Sequence, residues 1–275
     1  MRIAVVAPSS RFESAEQVAE VAARVGAIAH ANHPGVVLFF HPQCREADGH
    51  FAGSDGQRAS ALIEVANDPE VDAVWFARGG YGSNRIAAPA LAAFGPAARA
   101  KAWLGYSDSG FLLAALHRAG HGDVAHGPMP KDVLMAGGDA AVARALAWLV
   151  ERSPGAIEPG LTAARPAMAF NLTVLSTLLG TPLEPDFTGR ELLIEDVAEY
   201  LYATDRTLFH VTSSATVRRA AGIRLGRIAV KANPGQPFGA DAEAVAMRWC
   251  RESGISYLGR ADIGHDAGNK VVPFS

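Results

Sequence analysis

Cysteine is scarce in this sequence, since Cys44 and Cys250 are the only two among 275 residues. Two thiols so far apart argue against a disulfide framework, and their spacing excludes a metal knuckle. Among the nine histidines, His117 and His121 come closest to the helical spacing of metal ligands, but the glutamate of a zinc-peptidase motif is missing beside them. The sequence therefore predicts neither a bound metal nor a cofactor.

Runs of one charge and long apolar runs are missing as well. The 25 lysines and arginines nearly balance the 28 acidic residues, and they form no basic cluster that would suit a nucleic acid or an anionic membrane. At the N-terminus only about six apolar residues precede Pro8, too few for a signal peptide or a membrane span. We therefore expect a cytoplasmic protein without nucleic-acid or membrane partners.

The apolar residues, 49% of the chain, are arranged up to about residue 150 as alternating strand-like and helix-like stretches. Polar residues suited to helix capping, Ser14, Asp55 and Asp139, stand near the predicted helix starts. Repeated β–α units of this kind predict an α/β fold with a mostly parallel sheet flanked by helices on both faces. The predicted strands, short β-branched or aromatic runs, cover 2–7, 36–40, 73–77, 102–106 and 124–125.

The pattern changes after Arg152. The next eight residues carry two prolines and two glycines, which is typical of a linker. Three parts are therefore expected: an N-terminal α/β domain over 1–152, a linker over 153–165, and a smaller C-terminal α+β domain over 166–275. Within the last part, helices are predicted over 172–179, 201–209 and 240–250, and strands over 192–194, 223–230 and 271–274.

A serine hydroxyl stands at a sharp junction between a predicted strand and a predicted helix. The apolar run stops at Gly105, Ser107 follows, and a helical pattern begins at Phe111. Such a turn lifts a side chain away from the sheet and directs backbone N–H groups into the same space. Ser107 is therefore the candidate nucleophile, and the alternative is that Ser107 or Ser109 only caps the helix.

Polar or glycine-rich segments follow several predicted strands at their carboxyl ends, where α/β sheets collect functional groups. The glycines of 78–83 allow the backbone to approach a ligand closely, so this loop is a candidate donor to an oxyanion. It lacks the Gly-Lys-Ser/Thr ending of a phosphate loop and the spaced glycines of a dinucleotide site. The other segments at this edge are 8–10, 105–108 and 126–130.

A serine nucleophile requires a base and a carboxylate that orients the base. His265, in the loop before the last predicted strand, is the candidate base, although loop histidines beside glycine are often merely solvated. Glu195 and Asp196 end the apolar run 192–194. The residues alone leave the choice between these two carboxylates open.

These segments resemble the LD-carboxypeptidases, serine peptidases of S66 type that include murein tetrapeptide carboxypeptidases and microcin-C immunity peptidases. The resemblance follows the family's order along nearly the entire chain, and its specific part is the pair Arg78-Gly-Gly-Tyr-Gly-Ser-Asn-Arg85 and Gly105-Tyr-Ser-Asp108. The other matching segments are 7–10, 52–58, 126–129, 171–172, 180–182, 193–196, 205–206 and 264–265 with Asn269.

The resemblance implies a triad of Ser107, Glu195 and His265, in which Glu195 and not Asp196 is the carboxylate that orients the base. It also implies that the backbone N–H groups of Asp108 and Gly80 form the oxyanion hole. The first domain would be similar to class I glutamine amidotransferases, and the protein would be a homodimer. The implied substrate is a small peptide, a cytoplasmic murein tetrapeptide, which loses its C-terminal D-Ala through an acyl-enzyme.

Two departures from the family pattern border the predicted site and leave substrate choice open. Ser109-Gly110 replaces an apolar residue and a threonine, and Ala169-Phe170 stands where a glycine pair is common. The alternatives are a microcin-immunity-like peptidase that acts on aminoacyl-nucleotides or modified peptides, and a non-catalytic small-ligand binding protein. The sequence names no partner for the free carboxylate of the substrate, since Arg78 can equally be a structural donor to carbonyl groups.

Overall fold

The computed structural model describes residues 1–162, 165–231 and 235–275, which form two β-sheets covered by helices. The strands are β1 (Arg2–Val6), β2 (Val37–Phe40), β3 (Ala73–Phe76), β4 (Ala102–Gly105), β5 (Asp123–His126), β6 (Ala167–Asn171), β7 (Glu191–Tyr200), β8 (Gly222–Lys231), β9 (Tyr257–Arg260) and β10 (Val272–Pro273). The helices are α1 (Ala15–Asn32), α2 (Asp55–Asn67), α3 (Ser83–Ala92), α4 (Gly110–Arg118), α5 (Gly138–Glu151), α6 (Leu172–Leu178), α7 (Leu201–Ser213) and α8 (Ala242–Ser253).

The first sheet has six strands in the order β10-β5-β4-β3-β1-β2. Its strands are parallel except for β10, which runs antiparallel to β5. Every residue of β3 and β4 is buried, as expected for strands whose two faces are both covered by helices. The predicted mostly parallel N-terminal sheet is confirmed.

The second sheet is smaller and has the order β6-β7-β8-β9, with all neighbours parallel. The predicted α/β fold with a smaller C-terminal domain is therefore confirmed, and the sheet of that smaller unit consists of parallel strands. The pairing of β7 with β8 shifts register between Ile194 and Asp196, so that residues 226 and 227 of β8 both lie opposite Glu195. Such bulges often redirect side chains next to functional sites.

The two sheets are connected by the end of the chain. From β9 the chain passes through the loop 261–271 and returns to the first sheet, where Val272 pairs with His126. Ile157 forms an isolated bridge to Val271, so the segment after α5 is fixed to the same edge. Residues 163–164 of the predicted linker lie outside the described residues.

The helix starts differ in part from the sequence-based assignments. Ser14 caps α1 as predicted and accepts a hydrogen bond from the Gln17 amide at 3.3 Å. The prediction of Asp55 as a cap was wrong, because Ser54 caps α2 in a reciprocal capping box and Asp55 is the first helical residue. Likewise Asp139 lies within the first turn of α5, which Gly137 caps.

Among the residues that the structure describes, none of the helices combines the length and the apolar character needed to cross a membrane.

Candidate active site

Ser107 lies directly beyond β4, at the start of a 3₁₀ turn (Ser107–Ser109) that leads into α4. Its φ of +59° is in the left-handed region, which costs a residue with a Cβ about 1–2 kcal/mol. No side-chain hydrogen bond caps either the 3₁₀ turn or α4, so the capping alternative has no support in the contacts of this turn. A strained serine on a strand-to-helix turn is the geometry of a nucleophile elbow.

The glycine-rich loop 78–83 packs its backbone closely against Ser107. A Cβ on Gly79 would lie 2.8 Å from both Cβ and Oγ of Ser107, closer than real side chains approach. Gly80 has φ +116°, and a Cβ there would overlap Ser10 Oγ. Both positions therefore require glycine, which leaves space for a substrate carbonyl to meet backbone N–H groups near Ser107.

The side chain of Asp108 holds this loop against the turn at Ser107 by hydrogen bonds. Its carboxylate accepts hydrogen bonds from Ser9 Oγ at 2.5 Å, the Ser83 amide at 2.9 Å and the Gly82 amide at 3.3 Å. Its carbonyl accepts a further bond from Ser83 Oγ at 2.6 Å. A role was predicted from the sequence only for the backbone N–H of Asp108, whereas its buried carboxylate joins three segments at this edge of the sheet. The sequence feature that could have indicated this role is the acidic residue directly after the candidate nucleophile.

Glu195 and His265 form a hydrogen-bonded pair. Glu195 is fully buried on β7, and its Oε2 lies 2.6 Å from Nδ1 of His265. Burial alone would lower the pKa of His265, but the charge and hydrogen bond of Glu195 outweigh it and raise the pKa above its ordinary value. The carboxylate therefore orients the imidazole and stabilises its protonated form.

The neighbouring carboxylate has different partners. Asp196 accepts hydrogen bonds from Asn171 Nδ2 at 2.8 Å and from Thr173 Oγ1 at 3.1 Å. These contacts hold the end of β6 and the start of α6 against β7. Of the two candidate acids, only Glu195 contacts the histidine, while Asp196 lines the cleft described next.

Ser107 lines two spaces. One is a cleft of about 760 Å³ lined by both units, including Asn171, Asp196 and Glu199. The other is a pocket of about 170 Å³ that Ser107 shares with His265. The larger space has the size of a typical small-molecule site.

Within the described part of the chain, no hydrogen bond joins Ser107 Oγ to His265. The two side chains nevertheless line one small pocket, and contacts of this kind often tighten only when the substrate is bound. The structure thus brings Ser107, Asp108 and Gly80 together at the cleft and places the Glu195–His265 pair beside them.

Two protein-family models match this chain. A family model described as the LD-carboxypeptidase N-terminal domain matches residues 3–127, and one described as the LD-carboxypeptidase C-terminal domain matches residues 167–275. The chain belongs to the LD-carboxypeptidase family. The resemblance found in the sequence is confirmed, and so is the predicted enzyme class, a serine-type carboxypeptidase.

Individual proteins are also similar to this chain. The murein tetrapeptide carboxypeptidase of Pseudomonas aeruginosa is 28% identical over 243 residues, which cover 82% of this chain and 77% of that protein. The crystal structure of a muramoyltetrapeptide carboxypeptidase from Oxalobacter formigenes matches 100% of this chain and 93% of its own, with a TM-score of 0.79 at 22% identity. The microcin C7 self-immunity protein MccF, in complex with aspartyl sulfamoyl adenosine, matches 100% of this chain and 91% of its own, with a TM-score of 0.78 at 17% identity. At these identities the two solved structures show a shared fold.

Proposed function

We propose that this LD-carboxypeptidase is a cytoplasmic homodimer that removes the C-terminal D-Ala from murein tetrapeptide. The observation that carries the proposal is the buried Glu195–His265 pair, which opens onto the same small pocket as Ser107 on its strained elbow. In this proposal the domain over 1–152 supplies the nucleophile, and the domain over 166–275 supplies the base and its carboxylate. The function of the Pseudomonas aeruginosa relative supports the choice of substrate.

The proposed reaction uses the triad in two halves. His265 removes the proton from Ser107 Oγ as this oxygen bonds to the carbonyl carbon before D-Ala, and the backbone N–H groups of Asp108 and Gly80 hold the oxyanion. Each such donor is worth about 3–4 kcal/mol. The imidazolium, stabilised by Glu195, then gives its proton to the amine of D-Ala as the C–N bond breaks. Water activated by the same imidazole releases the peptide from the acyl-enzyme.

The charge of the large cleft supports a diamino acid before the scissile bond. Asp196 and Glu199 line the cleft, and its lining in the described part of the chain includes no lysine or arginine. A cleft of this character favours an ammonium group and disfavours an anionic side chain. A murein tetrapeptide, with its L-diamino acid next to D-Ala, presents such a group to this cleft.

Side-by-side turnover tests the proposal against its rivals. Release of D-Ala from murein tetrapeptide, followed by mass spectrometry, is expected to exceed cleavage of aspartyl sulfamoyl adenosine by about tenfold to a hundredfold in kcat/KM, the value of one charge-assisted contact. A serine-directed phosphonate is expected to label Ser107. Faster cleavage of the sulfamoyl compound would contradict the murein assignment, and the absence of both labelling and turnover would indicate a binding protein.

The activity is expected to fall as the pH decreases through the pKa of His265. The base must be neutral to accept a proton, and Glu195 raises the pKa of His265 above 6.5 although burial opposes this. The acid limb of kcat/KM against pH should therefore have its midpoint above 6.5. Burial also raises the pKa of Asp132 to about 6. Glu195→Gln should move this midpoint to lower pH by more than Asp132→Asn does, because Glu195 raises the pKa of His265 more strongly than Asp132 does.

A further inference from the structure

The small pocket beside Ser107 contains two cationic side chains. Arg78 and Lys131 both line it, together with Ser107 and His265. Arg78 donates hydrogen bonds to the carbonyl groups of Arg11 and Gly79. Across the described ranges neither cation forms an ion pair with a carboxylate. Two neighbouring cations in a small, partly buried pocket repel each other, and an anion bound between them would relieve this repulsion.

The carboxylate that lines this pocket is already engaged by other donors. Asp132 accepts hydrogen bonds from Tyr106 Oη at 3.1 Å and from the Met129 amide at 2.8 Å. It thus fixes the tyrosine that packs 4.8 Å from the His265 ring, measured between ring centroids. The cations therefore remain available to a ligand.

The position of the histidine assigns the pocket to one side of the scissile bond. His265 lines the small pocket, whereas the lining of the large cleft in the described part of the chain does not include it. In serine peptidases the same imidazole gives its proton to the leaving amine, so the leaving amino acid must lie on the histidine side of the nucleophile. In a carboxypeptidase the leaving amino acid carries the terminal carboxylate.

We propose that Arg78 and Lys131 bind the terminal carboxylate of the departing D-amino acid. The inference rests on the proposed function and adds the recognition site of its leaving group. The basic pocket and the acidic cleft have different linings and share Ser107, so a peptide with an ammonium group on one side of the scissile bond and a carboxylate on the other can bind in a single direction. The pocket's volume of about 170 Å³ restricts the leaving residue to a small side chain.

The test compares murein tetrapeptide with the same peptide ended by D-Ala amide. Wild-type enzyme is expected to prefer the free acid by about tenfold to a hundredfold in kcat/KM, as one charge-assisted hydrogen bond provides. Lys131→Met should remove most of this preference by slowing the free acid and leaving the amide unchanged. Arg78→Met is the second variant, although its loop also depends on the Arg78 hydrogen bonds. Arg251→Met, which removes an exposed cation on α8, is the matched control and should retain the wild-type preference.

Each result distinguishes the inference from the function on which it rests. Release of D-Ala by wild-type enzyme at equal rates from acid and amide would overturn the carboxylate site and leave the proposed function intact. Equal loss on both substrates in Lys131→Met would do the same. Failure of wild-type enzyme on both peptides, with Ser107 still labelled by the phosphonate, would overturn the proposed function and the inference together. Phosphonate labelling of Lys131→Met at the wild-type rate would show that the triad is intact in this variant.

Discussion

Replacement of Ser107 by alanine is expected to abolish D-Ala release from murein tetrapeptide, with kcat reduced on the order of 10⁴- to 10⁶-fold. The residue occupies the elbow beyond β4 with φ +59° and shares a pocket with His265. Without Oγ no acyl-enzyme forms, and only binding and the oxyanion donors remain to assist water. The measurement is single-turnover release of D-Ala by mass spectrometry, combined with a search for the acyl-enzyme mass on wild-type protein.

Ser109→Ala is the matched control for this variant. Ser109 is fully buried two residues further along, and the one hydrogen bond of its Oγ among the described residues is to Met129 Sδ, at 3.9 Å. Its removal should leave kcat within about tenfold of wild type, since no reacting atom is lost. Near-normal turnover by Ser107→Ala would refute the nucleophile. An equal loss in both variants would instead indicate damage to the turn.

The first sheet was predictable because its strands are short apolar runs, most of which end near glycine or proline. The predicted strand over 73–77 differs from β3 by one residue, and the one over 102–106 differs from β4 by one residue. Strands buried on both faces show as continuous apolar runs, and glycine marks where β4 ends. The elbow at Ser107 follows directly from that boundary.

The second sheet was harder to predict, for physical reasons. β6 reads Ala-Met-Ala-Phe-Asn, which has no β-branched residue, and it forms because β7 provides a partner along its whole length. Only 192–194 was predicted within β7, since the strand continues to Tyr200 through polar residues. Its pairing with β8 supports this extension, and such support depends on residues distant in the chain.

The residues of the site were likewise predictable from the sequence only in part. Periodicity did not separate Glu195 from Asp196, because β7 is buried continuously up to Asp196 and its burial therefore does not alternate at these two residues. Lys131 was not singled out, since nothing near it in the chain indicates that it lies beside Arg78. The two side chains line one pocket because the loops after β3 and β5 meet at the same edge of the sheet.

Replacement of Glu195 by glutamine is expected to lower kcat on the order of 10³- to 10⁴-fold while binding of the tetrapeptide changes little. The side chain keeps its shape but loses the charge that orients His265 and stabilises the imidazolium. In the described structure Glu195 forms its hydrogen bond to His265 through Oε2, at 2.6 Å, and its Oε1 is buried without a hydrogen-bond partner. Glutamine can turn its amide NH₂ toward the imidazole and favour the wrong tautomer. Steady-state kinetics on murein tetrapeptide measures the effect.

Asp196→Asn provides the comparison, since it changes the adjacent carboxylate in the same way. Asp196 holds Asn171 and Thr173 at the wall of the cleft and does not contact His265 in the described structure. Its replacement should therefore raise KM more than it lowers kcat. The pH midpoint of kcat/KM should shift less than in Glu195→Gln, because the charge of Asp196 raises the pKa of His265 less than that of Glu195. Glu195→Gln should do the opposite on both counts. If Asp196→Asn instead caused the larger loss of kcat and the larger shift of the pH midpoint, Asp196 would be the residue coupled to the base, and the assignment of Glu195 would be wrong.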